Sequence, residues 1–284
     1  MSYCSTESLN KAQKKIVDHK NGPALVIAGA GSGKTRVITH RVAHLIHSGI
    51  PASSILLLTF TNKAADEMTQ RVGKAINNTT DQNKIIHGTF HSVGNRFLRQ
   101  HAKLLDYKNN FSILDTSDSK DMIKAAIAEI MGKPGKFFPK AAVLQNIFSL
   151  AFNRNGTQKM ILALPYHKRN FQLDQLIYSD YPHFDEYLET MIKVLVTYRK
   201  KKKRGQVMDF DDLLENWLEL LVVHGEDLPL CRQINHILVD EYQDTNKVQA
   251  EILLLLARQQ NNLMVVGDDA QSIYSWRGAD FGNM

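Results

Sequence analysis

The residues best suited to chemistry form the stretch A-G-A-G-S-G-K-T, residues 28–35. Glycines in such a loop let backbone N–H groups curl around phosphate oxygens, and the positive end of a following helix adds to the attraction. Lys34 has the length to reach the β- and γ-phosphates of a nucleotide, and the Thr35 hydroxyl suits Mg²⁺. Ala28 stands where the usual pattern has glycine, although a small residue can also begin this turn. The pattern predicts a nucleotide site formed by Ala30, Gly31, Ser32, Gly33, Lys34 and Thr35.

A pair of carboxylates, Asp240 and Glu241, follows a second apolar run, I-L-V at residues 237–239. A phosphate loop needs an acidic partner at the end of a nearby strand to hold the metal ion. We therefore expect Asp240 to bind Mg²⁺ through water, and Glu241 to polarise the attacking water as a general base. A base beside the metal-binding aspartate favours hydrolysis of the nucleotide. The alternative is an ordinary acidic helix N-terminus.

The elements that must position these residues are visible as apolar runs and helical periodicity. Strands are predicted at residues 24–28, 55–59, 85–87, 234–239 and 263–266, and helices at 35–47, 63–76 and 247–259. Continuous apolar strands that alternate with helices predict an α/β fold with a parallel sheet covered on both faces. The phosphate loop lies between the first strand and its helix, as a P-loop NTPase requires.

The middle of the chain differs from its two ends. From about residue 90 to residue 204, apolar residues recur at helical spacing and turn residues separate the pieces. This pattern predicts a mostly α-helical insertion that splits the sheet in the sequence. We expect the first part of the ATPase domain at 1–88, the inserted helical subdomain at 89–205, and the second part at 206–284.

Composition narrows the class of protein. The 284 residues are 43% hydrophobic and 23% charged, which is typical of one or two globular domains. Neither a long apolar segment nor a signal peptide is evident, and Cys4 and Cys231 match no metal-ligand spacing, so we expect a cytoplasmic protein with free thiols. The formal charge of +6 hints at a polyanionic partner. The basic run at 199–204 fits that hint, or a solvated helix end.

Two clusters of polar residues have simpler explanations than a metal site. His40, His44 and His47 share a helix face with no carboxylate or cysteine nearby. The acidic cluster M-D-F-D-D, residues 208–212, stands at a predicted helix start, where Asp209 can cap the helix and the next two aspartates favour its dipole. We expect structural roles for both clusters.

A series of short stretches resembles the UvrD/Rep/PcrA-type helicases of superfamily 1, in that family's order. They are L-N-x-x-Q at 9–13, A-G-A-G-S-G-K-T-R at 28–36, T-F-T-N-K-A-A at 59–65, G-T-F-H-S at 88–92, M-D-F-D-D-L-L at 208–214, V-D-E-Y-Q-D-T at 239–245 and G-D-D-A-Q-S-I-Y-S-W-R-G-A at 267–279. Ala270 is a departure, because relatives usually carry a larger polar residue there. The resemblance implies a RecA-like fold, with ATP and Mg²⁺ as substrate and cofactor.

The resemblance also implies roles for further residues. Gln13 would read the adenine base and Gln271 would sense the γ-phosphate. Arg36 would reach the nucleotide or lie on the helix surface. The DNA contacts implied are Thr59, Phe60, Asn62, Thr89, His91, Tyr274, Trp276 and Arg277. Phe60, Tyr274 and Trp276 offer flat faces for unpaired bases, with core packing as the alternative.

The function implied is the N-terminal motor of an ATP-dependent DNA helicase that moves 3′ to 5′ on single-stranded DNA, in repair or replication. Its partners would be single-stranded DNA, junctions with duplex DNA, and a second RecA-like domain, which carries the arginines that reach the γ-phosphate in that family. We expect these 284 residues alone to hydrolyse ATP poorly and to unwind nothing. Two alternatives remain: the helicase portion of a helicase–nuclease, and a nucleotide-switched DNA-binding module without productive turnover.

Overall fold

The computed structural model describes residues 9–77, 79–155, 162 and 164–268. These residues divide into two compact units. The first unit comprises the described residues of Met1–Gly94, Leu221–Thr245 and Gln249–Met284, and the second comprises those of Asn95–Leu220 and Asn246–Val248. No helix in the described ranges is both long enough and apolar enough to cross a bilayer.

Strands and helices alternate along the first unit and helices dominate the second. The strands are β1 (Ala24–Ile27), β2 (Ile55–Leu58), β3 (Ile86–Gly88), β4 (Ser112–Ile113), β5 (Val207–Met208), β6 (His236–Val239) and β7 (Leu263–Gly267). The helices are α1 (Lys11–Val17), α2 (Lys34–His47), α3 (Asn62–Ile76), α4 (Thr79–Gln82), α5 (Phe90–His101), α6 (Thr116–Met131), α7 (Ala141–Asn155), α8 (Leu173–Asp180), α9 (Leu188–Gly205), α10 (Phe210–His224), α11 (Pro229–Gln233) and α12 (Lys247–Ala257). The strands and helices predicted for the α/β part are confirmed, with ends that differ by at most two residues.

The first unit is built on a parallel sheet with the strand order β1-β7-β6-β2-β3. All four strand pairings are parallel, for example Leu25 with Val265 and Leu58 with Val239. The two strands that follow the helical insertion in the sequence, β6 and β7, therefore lie between β1 and β2 in one sheet. This arrangement confirms the predicted α/β fold with a parallel sheet flanked by helices.

The pattern of burial follows from the position of each strand in the sheet. Every residue of β2 and β6 is buried, because helices cover both faces of the central strands. The edge strand β1 instead alternates, leaving Leu25 and Ile27 exposed. One core contains Ile38 and Val42 of α2, and it is continued by Leu57, Met68, Val72, Leu238, Met264 and Val266 from the sheet and from α3.

The second unit is mostly helical, as the periodicity predicts. Helix α6 packs against α7 and α9. The same unit contains a two-stranded parallel sheet of β4 and β5. That small sheet is absent from the sequence prediction, because strands of two residues produce no apolar run. Trp217 is fully buried, with its ring centroid 5.3 Å from that of Phe97.

The basic run at 199–204 ends α9 but is not the solvated cluster that its composition suggests. Arg199 is buried, and its guanidinium bonds to the Glu215 carboxylate at 2.5 Å. Lys202 is buried between Asp209 and Asp212, at 2.5 and 2.7 Å. Burial lowers the pKa of Lys202, but these two carboxylates outweigh that effect and raise it. Two of the six cations in the basic run, Arg199 and Lys202, are therefore part of the interior of the second unit.

The acidic cluster at 208–212 has the structural role expected of it. Asp209 precedes α10 and its carboxylate accepts the Asp212 backbone N–H at 2.9 Å, while the Asp212 carboxylate accepts the Asp209 backbone N–H at 3.0 Å. This reciprocal pair caps the helix. A group of three or more His, Cys, Asp or Glu residues able to hold a metal ion is not found among the described residues. The helix-capping role predicted for Asp209 is confirmed, and the interpretation of His40, His44 and His47 stays a prediction.

Candidate functional site

The phosphate loop connects the carboxyl end of β1 to the first turn of α2. Gly31 and Gly33 have φ angles of 73° and 88°, a left-handed conformation that other residues adopt with strain. The Ser32 N–H donates to the Gly29 carbonyl at 3.2 Å, which tightens the turn. The first N–H groups of α2 have no partner within the helix, and its dipole is positive at this end. The loop thus has the backbone geometry of an anion site.

Lys34 lies across this loop. Its ammonium donates to the Ala28 carbonyl at 3.0 Å and forms an ion pair with the Asp268 carboxylate at 3.4 Å. Both side chains are largely buried, so the ion pair is shielded from water. Asp268 follows β7, the strand next to β1, and sequence reasoning assigned it no role. Its position directly after a predicted strand, at the same edge of the sheet, was the available signal.

Asp240 brings a carboxylate to the start of α2. Its Oδ2 lies 3.4 Å from the Thr35 hydroxyl oxygen, and its Oδ1 accepts the Glu241 backbone N–H at 3.0 Å. Burial, and then the charge of Glu241, raise the pKa of Asp240 to about 6. A hydroxyl and a carboxylate this close suit a hard cation that retains several waters, which is the habit of Mg²⁺. The predicted metal ligands therefore lie together and fit that ion.

Glu241 has a φ angle of 54°, which is unusual for a residue with a long side chain. Such conformations persist where the surroundings fix them, and they are concentrated at functional sites. The Glu241 carboxylate accepts a hydrogen bond from the Gln243 amide nitrogen at 2.7 Å. Glu241, Asp240, Thr35 and Phe60 help to line a cleft of about 440 Å³.

Gln13 links α1 to the phosphate loop. Its amide oxygen accepts the Asn10 backbone N–H at 3.0 Å, completing a capping box at the start of the helix. Its amide nitrogen donates to the Ser32 carbonyl at 2.8 Å. The side chain predicted to read adenine thus lies at the edge of the loop predicted to hold the phosphates.

Arg36 lies in the first turn of α2, and its side chain is exposed. Ala30, Gly31 and Ser32 are also exposed at the tip of the loop. This placement leaves both interpretations of Arg36 open, a contact to the nucleotide and a position on the helix surface.

The residues predicted to contact DNA near β2 and β3 lie at the carboxyl ends of these two neighbouring strands. Phe60 is 38% exposed and Asn62 is exposed at the start of α3. Thr59 differs, because it is only 3% exposed and its hydroxyl donates to the Thr61 carbonyl at 2.8 Å. Thr59 therefore shapes the loop that carries Phe60 in this structure. The Thr59 hydroxyl predicted to contact DNA is not exposed.

The second group of predicted contacts begins α5. Thr89 and Ser92 exchange hydrogen bonds between hydroxyls and backbone N–H groups, at 2.9 and 3.2 Å, which caps this helix. His91 is half-buried in the same turn. Because Thr59 N–H donates to the Gly88 carbonyl at 3.1 Å, the loops after β2 and β3 are adjacent.

The remaining predicted site residues lie outside the described ranges. They are Gln271, Tyr274, Trp276 and Arg277, together with the departure at Ala270. Their assignments rest on the sequence alone and stay predictions.

The chain resembles known proteins over nearly all of its length. The sequence model of the UvrD/REP helicase N-terminal domain matches residues 9–284. The chain is 39% identical over 290 residues to the ATP-dependent DNA helicase PcrA of Bacillus subtilis (strain 168), covering 100% of this chain and 36% of the relative. The PcrA of Leuconostoc citreum is 36% identical over 281 residues, covering 98% and 35%, and that of Staphylococcus aureus (strain Mu50) is 37% identical, covering 97% and 35%.

This chain spans about a third of the length of these curated relatives. The family match nevertheless covers both the loop after β1 and the acidic pair after β6. The chain belongs to the UvrD/REP helicase N-terminal domain family.

Proposed function

We propose that this chain is the first motor domain of an ATP-dependent DNA helicase that tracks 3′ to 5′ along single-stranded DNA. The observation that carries the proposal is the convergence of Lys34, Thr35, Asp240 and Glu241 at one edge of a parallel sheet. The relatives are named as ATP-dependent DNA helicases, which supports both the substrate and the class of reaction.

ATP binding follows from the geometry of the loop. The triphosphate occupies the turn at 29–33 and the start of α2, where backbone N–H groups point outward. The Lys34 ammonium exchanges its contacts with Ala28 and Asp268 for phosphate oxygens. Thr35 and Asp240 would hold Mg²⁺, which would supply positive charge beside the phosphates.

Hydrolysis requires a base beside the terminal phosphate, and Glu241 is suitably placed. Its carboxylate lies in the cleft shared with Thr35 and Asp240, so a water there can give up a proton to it as the water attacks the γ-phosphorus, the bond to the β–γ bridging oxygen breaks and ADP leaves. Turnover also needs an arginine that reaches the γ-phosphate from across an interface. We assign that arginine to a second RecA-like domain, as in the resembling family.

The DNA path lies along the carboxyl ends of β2 and β3. Phe60 supplies a partly exposed ring for base stacking, while Asn62 and His91 offer polar groups to the backbone. Tyr274, Trp276 and Arg277 extend this set by sequence. Because stacking is tolerant of sequence, the proposed grip reads no particular base order.

ATP hydrolysis with and without single-stranded DNA tests this function. For the protein expressed from its whole reading frame, we expect DNA to stimulate hydrolysis, Glu241→Gln to abolish turnover, and ATP binding to survive in that variant. Nucleotide-dependent DNA binding with no ATP hydrolysis, in the presence or absence of single-stranded DNA, would support the nucleotide-switched module instead. Full turnover in Glu241→Gln would remove Glu241 from the role of base.

A further inference from the structure

Gln243 is the second residue after the proposed base, in the short helical turn Tyr242–Asp244. It is 3% exposed, although its side chain is an uncharged amide with no packing advantage over an apolar residue. A buried amide requires partners, since an unsatisfied one costs about 1–3 kcal/mol. The partners of Gln243 therefore indicate why a glutamine lies here.

The two ends of this amide contact two parts of the site. The Nε2 group donates to the Glu241 carboxylate at 2.7 Å, and Oε1 accepts the backbone N–H of Asp268 at 3.0 Å. A carboxylate can only accept and a backbone N–H can only donate, so the orientation of the amide is fixed by its partners. A single side chain thus joins the proposed base to the end of β7.

The Glu241 backbone makes this support necessary. Its left-handed φ angle places the residue in a conformation that its neighbours must maintain. The Asp240 carboxylate holds the Glu241 N–H, and the Asp244 N–H donates to the Glu241 carbonyl at 3.0 Å. These bonds fix the backbone, whereas the bond from Gln243 fixes the position of the carboxylate itself.

We infer that Gln243 is a positioning residue that fixes the orientation of the Glu241 carboxylate. The same side chain connects that carboxylate to the backbone at Asp268. The inference rests on the proposed role of Glu241 as general base. Asp268 also pairs with Lys34, and the residues after it include those predicted to sense the nucleotide and to contact DNA. A displacement of the chain at Asp268 is transmitted through one amide to the base.

Two variants separate positioning from simple structural support. Gln243→Glu keeps the length of the side chain and an acceptor for the Asp268 N–H, but replaces the donor to Glu241 with a second carboxylate. Gln243→Ala removes both bonds. The matched control is Gln233→Glu, which makes the same chemical change at an exposed amide on α11.

The measurement is DNA-stimulated ATP hydrolysis by the protein from its whole reading frame, with kcat, KM and the ATP dissociation constant determined separately. We expect both Gln243 variants to lower kcat by about tenfold to hundredfold, because small misplacements of a catalytic group have effects of this size. The ATP dissociation constant stays within about twofold of the parent, and Gln233→Glu matches the parent. Amide hydrogen exchange at Asp268 accelerates in Gln243→Ala and stays slow in Gln243→Glu.

The outcomes distinguish this inference from the proposed function. If Glu241→Gln abolishes turnover while both Gln243 variants keep the parental kcat, the positioning role is wrong and the base assignment stands. A Gln243→Glu variant that loses ATP affinity in step with kcat would also overturn the positioning role. If Glu241→Gln keeps full turnover, the assignment of Glu241 as the base and that of Gln243 as its positioning residue are both wrong.

Discussion

At the scale of single residues, the role proposed for Phe60 is to stack against a base of single-stranded DNA. Its ring is partly exposed and lines the cleft shared with Asp240 and Glu241, in a loop held by Thr59. Phe60→Ala should weaken single-stranded DNA binding by about 1–3 kcal/mol, the usual contribution of one stacked base. Fluorescence anisotropy with a labelled oligonucleotide at low salt measures the change.

A matched control for this change is available in the second unit. Phe137 is 75% exposed, so Phe137→Ala removes a similar ring from a surface to which we assign no DNA contact. The affinity should be unchanged in Phe137→Ala and largely restored in Phe60→Trp. Equal losses in Phe60→Ala and Phe137→Ala would show that Phe60 has no specific stacking role.

The sequence predicted the candidate site residues, but it did not predict the residues that support them. Lys34, Thr35, Asp240 and Glu241 were predicted because each belongs to a short pattern with a chemical reason. The partners of Lys34 and Glu241, which are Asp268 and the amide of Gln243, depend on which strands are neighbours in the sheet. The strand order β1-β7-β6 brings these partners together, and no local pattern encodes that order.

At the scale of elements, the end of α9 is held by charges that the sequence suggested were solvated. Lys202 lies between Asp209 and Asp212, which cap α10. Lys202→Ala leaves two buried carboxylates without their cation, which typically costs about 3–5 kcal/mol of stability. Chemical denaturation should show this loss, whereas Lys200→Ala, at an exposed position on the same helix, should change the free energy of unfolding little. Equal stability of the two variants would contradict the buried network.

The strand β6 introduces a pH dependence through its first residue, His236. Burial, and then the charge of Arg41, lower the pKa of His236 to about 4. An unfolded histidine titrates near 6.5, so between about pH 6.5 and 4 only the unfolded chain binds the proton. The contribution of His236 is therefore complete above about pH 6.5 and declines as the pH falls.

His236→Gln removes this titration while keeping a polar side chain. We expect the free energy of unfolding to fall between pH 7 and 5 by on the order of 1–2 kcal/mol more in the parent than in this variant. The parent is compared with the variant because Asp211 is present in both proteins and changes the free energy of unfolding in the opposite direction. Burial raises the pKa of Asp211 to about 7. Identical pH profiles for the two proteins would contradict this account of His236.

The sequence predicted the elements of the sheet because its strands are continuous apolar runs. Ile55–Leu58 is buried on both faces, and that burial requires four consecutive apolar residues. The ion pairs of α9 were missed because burial of Arg199 and Lys202 depends on a helix later in the chain. Tertiary packing, and not local propensity, decided their environment.

At the scale of the whole molecule, the described residues of the first unit supply one five-stranded parallel sheet and the proposed nucleotide site at its edge. The relatives are about three times as long as this chain. The proposed division of labour assigns phosphate binding and the base to this chain, and the arginine that completes turnover to a second motor domain. These 284 residues alone should therefore bind ATP without efficient hydrolysis, and robust unwinding by them would contradict that division.

The most direct test of the central claim is the affinity of these 284 residues for ATP in the presence of Mg²⁺, compared with that of Lys34→Ala. Titration with a fluorescent ATP analogue gives both dissociation constants, and thermal unfolding shows whether each protein is folded. The account predicts saturable binding by the parent and at least about tenfold weaker binding by the folded variant, a difference of about 1.4 kcal/mol. Equal affinity of the two folded proteins would contradict it.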